Sequence, residues 1–228
     1  MQIDILTLFP GVVSPYLEAS LLQKAIAAEK VTINVINIRD WAKDKHHTTD
    51  DTPYGGGPGM VLKVEPIFAA LKSIGAIEIE KENPLVIKPR PQNEKIIMLS
   101  PGGKMFDQKM GANLSKLNRI TLLCGRYEGF DDRIKLFIDA EVSVGNFVLT
   151  GGELPALIIT DVVTRFLPGV VGNEESIKND TFFQDENYVK HPQYTKPEEF
   201  MGMKIPEVLI SGNHQAIEKW RKSNSTNK

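Results

Sequence analysis

The sequence predicts an α/β protein on a mainly parallel sheet, followed by a small, mostly helical C-terminal domain. Three observations carry that prediction. Short apolar or β-branched runs alternate with helix-length segments through the first two-thirds of the chain, the pattern of a parallel sheet covered by helices on both faces. Three glycine-bearing loops each follow a predicted strand. After Pro168-Gly169-Val170-Val171-Gly172 the texture changes, and residues 173–197 are polar with scattered aromatics and little periodicity.

Taken in order, residues 3–9 read as a buried strand. Ser14-Pro15 then offers an N-cap with proline at the first helical position, predicting a helix to about Glu29. Residues 31–38 are β-branched and partly alternating, a second strand. The polar stretch 39–59 is long for a connection inside a domain, and such loops are usually functional or mobile. Residues 65–73 read as a helix ended by Gly75, and 78–94, with three prolines and many charges, as a surface insertion. Strands follow at 96–99 and 120–124, with a helix at 107–117 between them. A strand at 141–144, with 147–149 as its continuation beyond Gly145, precedes a helix over 153–166 that carries Leu154, Leu157, Ile158, Val162 and Phe166 as its apolar stripe. A last helix is predicted at 214–222. The expected organisation is a first domain over 1–171, a connector at 172–180 and a C-terminal unit over 181–228.

Composition narrows the class. The 228 residues hold 27 Lys and Arg against 29 Asp and Glu, a formal charge of −2, with 41% hydrophobic and 25% charged residues. That is globular composition and excludes collagenous, disulfide-rich and disordered chains. The single Cys124 cannot form an intrachain disulfide. Met1-Gln2-Ile3-Asp4 does not read as a signal peptide, and the apolar runs are far short of the roughly 20 residues that span a bilayer. A cytoplasmic protein with no membrane partner is expected. Near-neutral charge neither indicates nor excludes a nucleic-acid partner, because local patches decide.

The glycine loops are Ser100-Pro101-Gly102-Gly103, Gly125-Arg126-Tyr127-Glu128-Gly129, and Gly145 through Thr150-Gly151-Gly152-Glu153. Ligands of open α/β sheets bind beyond the carboxyl ends of strands, and glycines there let backbone groups approach a flat polar ligand. Any one loop reads as a tight turn; three after three strands point to a pocket. Neither G-x-G-x-x-G after the first strand nor G-x-x-x-x-G-K-[ST] occurs, so it is no ordinary dinucleotide or P-loop site. One cysteine and the adjacent His46-His47 cannot supply a zinc set.

Four motifs then carry a specific resemblance: Pro53-Tyr54-Gly55-Gly56-Gly57-Pro58-Gly59-Met60, Cys124-Gly125-Arg126-Tyr127-Glu128-Gly129, Gly151-Gly152-Glu153-Leu154-Pro155-Ala156 and Ser211-Gly212-Asn213-His214. In this order the chain resembles the TrmD family of bacterial tRNA (guanine-N1)-methyltransferases, within the SPOUT superfamily. The resemblance implies a deep trefoil knot forming an S-adenosylmethionine pocket, and a homodimer whose active sites are shared between subunits. It implies methylation of N1 of guanosine 37 in tRNA, next to the anticodon, when guanosine occupies position 36. It also allows magnesium as a cofactor, although no metal motif is visible.

Carried across residue by residue, the resemblance places the cofactor against Val144, Gly145, Asn146, Phe147, Val148 and Leu149, with Gly125 from the neighbouring loop and Ser100, Pro101, Gly151, Gly152 and Pro155 completing the walls. Glu128 and Arg126 are expected to shape the methionine end. Read without it, the apolar members are equally core. The family usually has aspartate where this chain has Asn146, which predicts weaker but persisting binding, since asparagine offers only neutral hydrogen bonds to an ammonium. Asp180 aligns with the family's general base, a carboxylate that strips the N1 proton; read locally it is an N-cap or connector residue. Arg165 aligns with an arginine that stabilises charge on guanine O6; read locally it pairs with Asp161, four residues earlier.

Features suited to RNA are Lys43, Lys45, His46 and His47 in the long loop, Lys190, His191, Lys196 and Lys204 in the C-terminal unit, and the aromatics Tyr188, Tyr194 and Phe182, which can stack on unpaired bases. The C-terminal unit, shorter than is usual in the family, is neutral, with seven basic and seven acidic residues over 180–228. Two rival readings are a SPOUT enzyme acting on a ribose hydroxyl or ribosomal base, and a non-catalytic module using the glycine loops for phosphate.

Overall fold

The computed structural model of the chain describes residues 1–80, 83, 86–172, 174–183 and 185–227. The chain forms two units, Met1–Gly172 and Asn173–Lys228. In the first, the elements in order are β1 (Gln2–Thr7), α1 (Pro10–Leu17), α2 (Ser20–Ala27), β2 (Thr32–Asn37), β3 (Asp50–Asp51), β4 (Val61–Leu62), α3 (Val64–Ser73), β5 (Glu94–Met105), α4 (Gln108–Leu114), β6 (Arg119–Cys124), β7 (Ala140–Ser143) and α5 (Glu153–Arg165). Strands β2-β1-β6-β5-β7 form one sheet in that order, every pair parallel.

Strand alternation explains why both faces are covered. Ile3, Ile5, Ile97, Leu99, Ile120, Leu122 and Cys124 point to one face, where they pack with Val13, Leu17, Leu22, Ala25, Ala156, Ile159 and Val163 of α1, α2 and α5. Leu6, Ile96, Met98 and Leu123 point to the other, against Ile67, Ala70 and Leu71 of α3 and Ile38 and Ile134 of two short 3-10 turns. Strands buried on both sides read as continuous apolar runs, which made them legible.

Three expectations change. The helix predicted from Ser14 starts at Pro10 instead and is two helices. Pro10 takes the first helical position, where a missing N–H costs nothing, while Ser14 Oγ donates back to the Pro10 carbonyl at 3.2 Å rather than capping. Each short helix then plants its own pair on the sheet, Val13 and Leu17 from α1, Leu22 and Ala25 from α2. Second, Ser100-Pro101-Gly102-Gly103 is not a loop after a strand but an irregularity within β5: Leu99 and Lys104 both lie opposite Val142. A bulge at a proline lets the ladder skip a residue that cannot donate. Third, residues 147–149 do not extend β7; Phe147 is 55% and Val148 83% exposed, because the chain turns at Gly145, whose N–H donates to Ser143 Oγ at 3.3 Å. The surface insertion read for 78–94 falls partly outside the described residues, at Lys81, Glu82, Pro84 and Leu85.

The second unit holds α6 (Glu174–Lys178), the antiparallel pairs β8 (Tyr188–Val189) with β11 (Thr226–Asn227) and β9 (Glu199–Phe200) with β10 (Met203–Lys204), and α7 (His214–Asn224). The residues expected to connect the domains thus carry a short helix, with Asn173 outside the described residues. Asn213 caps α7, its side chain accepting from the Ala216 N–H at 3.1 Å. His191 and Tyr194 bring their rings to 5.9 and 6.2 Å from that of Trp220.

Candidate active site

Parallel strands that all end on one side leave their loops on one rim, and here three of those rims surround a cavity of about 370 Å³, within the size of a small-molecule site. The Leu99-Ser100-Pro101 stretch of β5, the loop 125–132 after β6 and the loop 144–152 after β7 line it. The structure brings together Ser100, Pro101, Gly125, Glu128, Val144, Gly145, Phe147, Val148, Leu149, Gly151, Gly152 and Pro155. Asn146 is exposed and lies outside the lining. Val148, 83% exposed, is not part of the core.

Bare backbone is required at the pocket's inner wall. A Cβ on Gly152 would stand 2.7 Å from Cys124 Cα, and one on Gly125 would stand 2.7 Å from the Phe130 ring. A Cβ on Gly145 would collide with the Phe147 ring, which folds back over it. Loops 125–132 and 144–152 are joined by the Gly152 N–H donating to the Gly125 carbonyl at 2.8 Å and by a bridge between Arg126 and Gly151.

Charge is unevenly placed. Glu128, Asp131, Asp132, Glu141, Arg126 and Lys135 all reach the lining. Hydrogen bonds from Arg133 hold the Asp131 carboxyl below the usual range, and Asp132, 2.6 Å away, raises the Lys135 ammonium. Burial, and then the charge of Glu153, push the Cys124 thiol well up, so it stays neutral and packs. The apolar and backbone surfaces suit a flat heterocycle, and the acidic groups suit a cationic tail.

The sequence reading missed several contributors. Met60 accepts from the Glu128 N–H at 3.0 Å, and Leu62 exchanges backbone hydrogen bonds with Gly129 and Asp131 at 2.9 Å each. The glycine-rich segment 53–60 therefore ends stitched to the rim, and Gly59 must be bare because a Cβ would meet Glu128 Cγ at 2.5 Å. Glu153 also went unassigned, although it stood in a quoted motif. Among the described residues, no three His, Cys, Asp or Glu side chains are grouped to hold a metal ion.

Arg165 ends α5, half-buried and outside the lining. Its expected partner Asp161 accepts a hydrogen bond from Tyr16 Oη at 2.8 Å. Asp180 belongs to the second unit, where its carboxylate lies 4.0 Å from Lys190 Nζ. No described helix is long and apolar enough to cross a membrane.

Comparison with known proteins places this chain in a family. The family model described as tRNA (Guanine-1)-methyltransferase TrmD matches residues 1–228. A relative named tRNA (guanine-N(1)-)-methyltransferase from Dictyoglomus turgidum is 44% identical over 228 residues, covering all of this chain and 86% of that protein. Relatives of the same name from Caldanaerobacter subterraneus and Metamycoplasma arthritidis are 46% and 47% identical, covering 99% and 100% of this chain and 87% and 92% of theirs. A match over the full length, with relatives 44–47% identical across it, shows that the chain belongs to the tRNA (guanine-1)-methyltransferase TrmD family.

Proposed function

We propose that this protein transfers a methyl group from S-adenosylmethionine to N1 of guanosine 37 in tRNA, with guanosine at position 36. The observation that carries the reading is the assembly of one pocket, from a stretch of β5 and two separate loops, by every cofactor residue expected from the family except Asn146. The relatives' names specify guanine N1 of tRNA. Bound there, S-adenosylmethionine supplies a methyl group already activated on a sulfonium.

The chain's own residues have two tasks. Backbone groups at Val144, Gly145 and Leu149 hold the adenine, and the acidic rim with Glu128 faces the cationic methionine end. The second task concerns the acceptor, because N1 of guanine carries a proton and is a weak nucleophile. Asp180 takes that proton as general base, and Arg165 faces the negative charge that then builds on O6. The target base leaves its stack to reach the pocket, and Tyr188, Tyr194 and Phe182 offer stacking surfaces to RNA beside Lys190, His191, Lys196 and Lys204. The knotted threading of the family belongs to the same proposal, as does work in the cytoplasm.

Homodimerisation is part of it as well. Phe9, Val12 and Tyr16 at α1 and Leu154 and Ile158 on α5 are each 40–54% exposed, and α1 packs on α5. Together they present an apolar face next to the pocket-lining Pro155, and a second copy of the chain would cover it.

The test is methyl transfer to tRNA transcripts by wild type and Asp180→Asn. The proposal expects transfer by wild type and its loss in the variant. Equal rates remove Asp180 as base. Transfer to a ribose hydroxyl supports the rival enzyme, and preference for nucleoside triphosphates over S-adenosylmethionine in calorimetry supports the phosphate module.

A further inference from the structure

A buried carboxylate stands just behind the pocket with no task in the reaction above. Glu153, the first residue of α5, is 1% exposed. Thr7 Oγ1 donates to its Oε1 at 2.6 Å, Arg126 Nη2 lies 2.9 Å from its Oε2, and Arg126 Nε donates to Oε1 at 3.3 Å. Arg126 spends its remaining arm, Nη1, on the carbonyl of Thr150 at 3.1 Å. Its guanidinium carbon sits 4.5 Å from the Phe9 ring centroid, and the Phe9 N–H donates to Thr7 Oγ1 at 2.9 Å. The end of β1, the loop 125–132 and the loop 144–152 therefore meet at one guanidinium.

The surroundings are built around this pair. A Cβ on Gly151 would collide with both the Arg126 guanidinium and the Glu153 carboxylate. An ordinary acidic residue at a helix start stays in water; this one is taken out of water, where a carboxylate is tolerated only with a charged partner and a full set of donors. The two loops already share a backbone hydrogen bond and a bridge at Gly125–Gly152 and Arg126–Gly151. What the ion pair adds is a fixed position for Thr150, on the pocket side of that bridge.

We propose that Glu153 is a positioning residue: it aims Arg126 so that the guanidinium clamps Thr150 and sets the separation of the two loops that hold the methyl donor. The proposal rests on the reading of this cavity as the S-adenosylmethionine pocket. A planar fork is needed because one arginine must reach carboxylate and carbonyl together, which a lysine point charge cannot do.

The experiment measures S-adenosylmethionine affinity by calorimetry, and the ligand-free melting midpoint, for wild type, Arg126→Lys, Glu153→Gln and the double variant. Arg126→Lys keeps a cation opposite Glu153, so it remains folded, and its affinity is expected to fall about tenfold as Thr150 is released. Glu153→Gln, at a residue outside the lining, is expected to lose a similar factor, and the double variant no more than the worse single one, because the residues act in series. If Glu153→Gln does not fold, Thr7→Val, which removes one donor from Glu153, takes its place with an expected loss of about threefold. Wild-type affinity in a folded Arg126→Lys, Glu153→Gln or Thr7→Val overturns the proposal, as do losses that multiply in the double variant, which would mean that Arg126 acts on the ligand alone. Failure of wild type to bind S-adenosylmethionine overturns the pocket reading instead.

Discussion

Replacing Gly152 by alanine isolates the steric demand at the pocket's inner wall. Gly152 has φ −83° and ψ −2°, a conformation open to any residue, so backbone strain contributes nothing and only space opposes the methyl group. The added Cβ would stand 2.7 Å from Cys124 Cα, 2.8 Å from Gly125 N and 3.1 Å from Cys124 C. All three are backbone atoms at the end of β6 and cannot swing aside. Restoring ordinary carbon contacts near 3.5–4.0 Å needs a shift of roughly 1 Å at the start of α5, which stretches the 2.8 Å hydrogen bond from Gly152 N–H to the Gly125 carbonyl. Overpacking of this kind costs about 2 kcal/mol, a fall of about 4–8 °C in melting midpoint for a chain of this size. The same shift moves one pocket wall against another, and misplacement by ~1 Å reduces function by up to about 100-fold. Gly11→Ala is the control: it lies in α1 with nothing within 4 Å of its Cβ, and is expected to gain about 0.5–1 kcal/mol. Calorimetric affinity for S-adenosylmethionine and differential scanning calorimetry read both effects. Wild-type melting and affinity in Gly152→Ala would refute the reasoning.

Asp4, 1% exposed, accepts from Arg119 Nε at 2.6 Å and Asn34 Nδ2 at 2.7 Å, at the strand ends remote from the pocket. Asp4→Ala is expected to cost about 3 kcal/mol in urea unfolding, by leaving the half-buried Arg119 guanidinium without its carboxylate, while the folded protein keeps its ligand affinity. The hydrogen bond from Tyr16 to Asp161, and then that carboxylate's charge, raise the Tyr16 hydroxyl above its ordinary value near 10. Because the folded value is the higher one, this contribution to stability is complete below pH ~10 and lost as pH rises through the folded value; ultraviolet titration should show Tyr16 ionising earlier in Asp161→Asn. Asn146→Asp, between the lining residues Gly145 and Phe147, is expected to bind S-adenosylmethionine more tightly through the longer-range attraction of a carboxylate for its ammonium; weaker binding measured by calorimetry would contradict that role for the position.

The legible parts of the molecule are those that short-range pattern determines. Runs such as residues 120–124 are almost wholly apolar and are interior strand, buried on both faces, and the helix predicted from His214 begins there as α7. The start of α1 was misread because Pro10 and Ser14-Pro15 both offer local initiation chemistry, and the choice between them was made by burying Val13 and Leu17 on the sheet. The strand order β2-β1-β6-β5-β7 depends on pairings such as Ile5 with Leu122 that no window contains. The pocket loops were visible as glycines after strands, together with the family motifs. Glu153 was not, because its hydroxyl donor Thr7 lies 146 residues away, and locally it looks like any acidic residue at a helix start.

The most direct test of the account is nucleoside mass spectrometry of tRNA transcripts bearing guanosine or adenosine at position 37, after incubation with the protein and isotopically labelled S-adenosylmethionine. Labelled 1-methylguanosine from the guanosine transcript alone is the predicted result. Label elsewhere in the RNA, or none from either transcript, would contradict it.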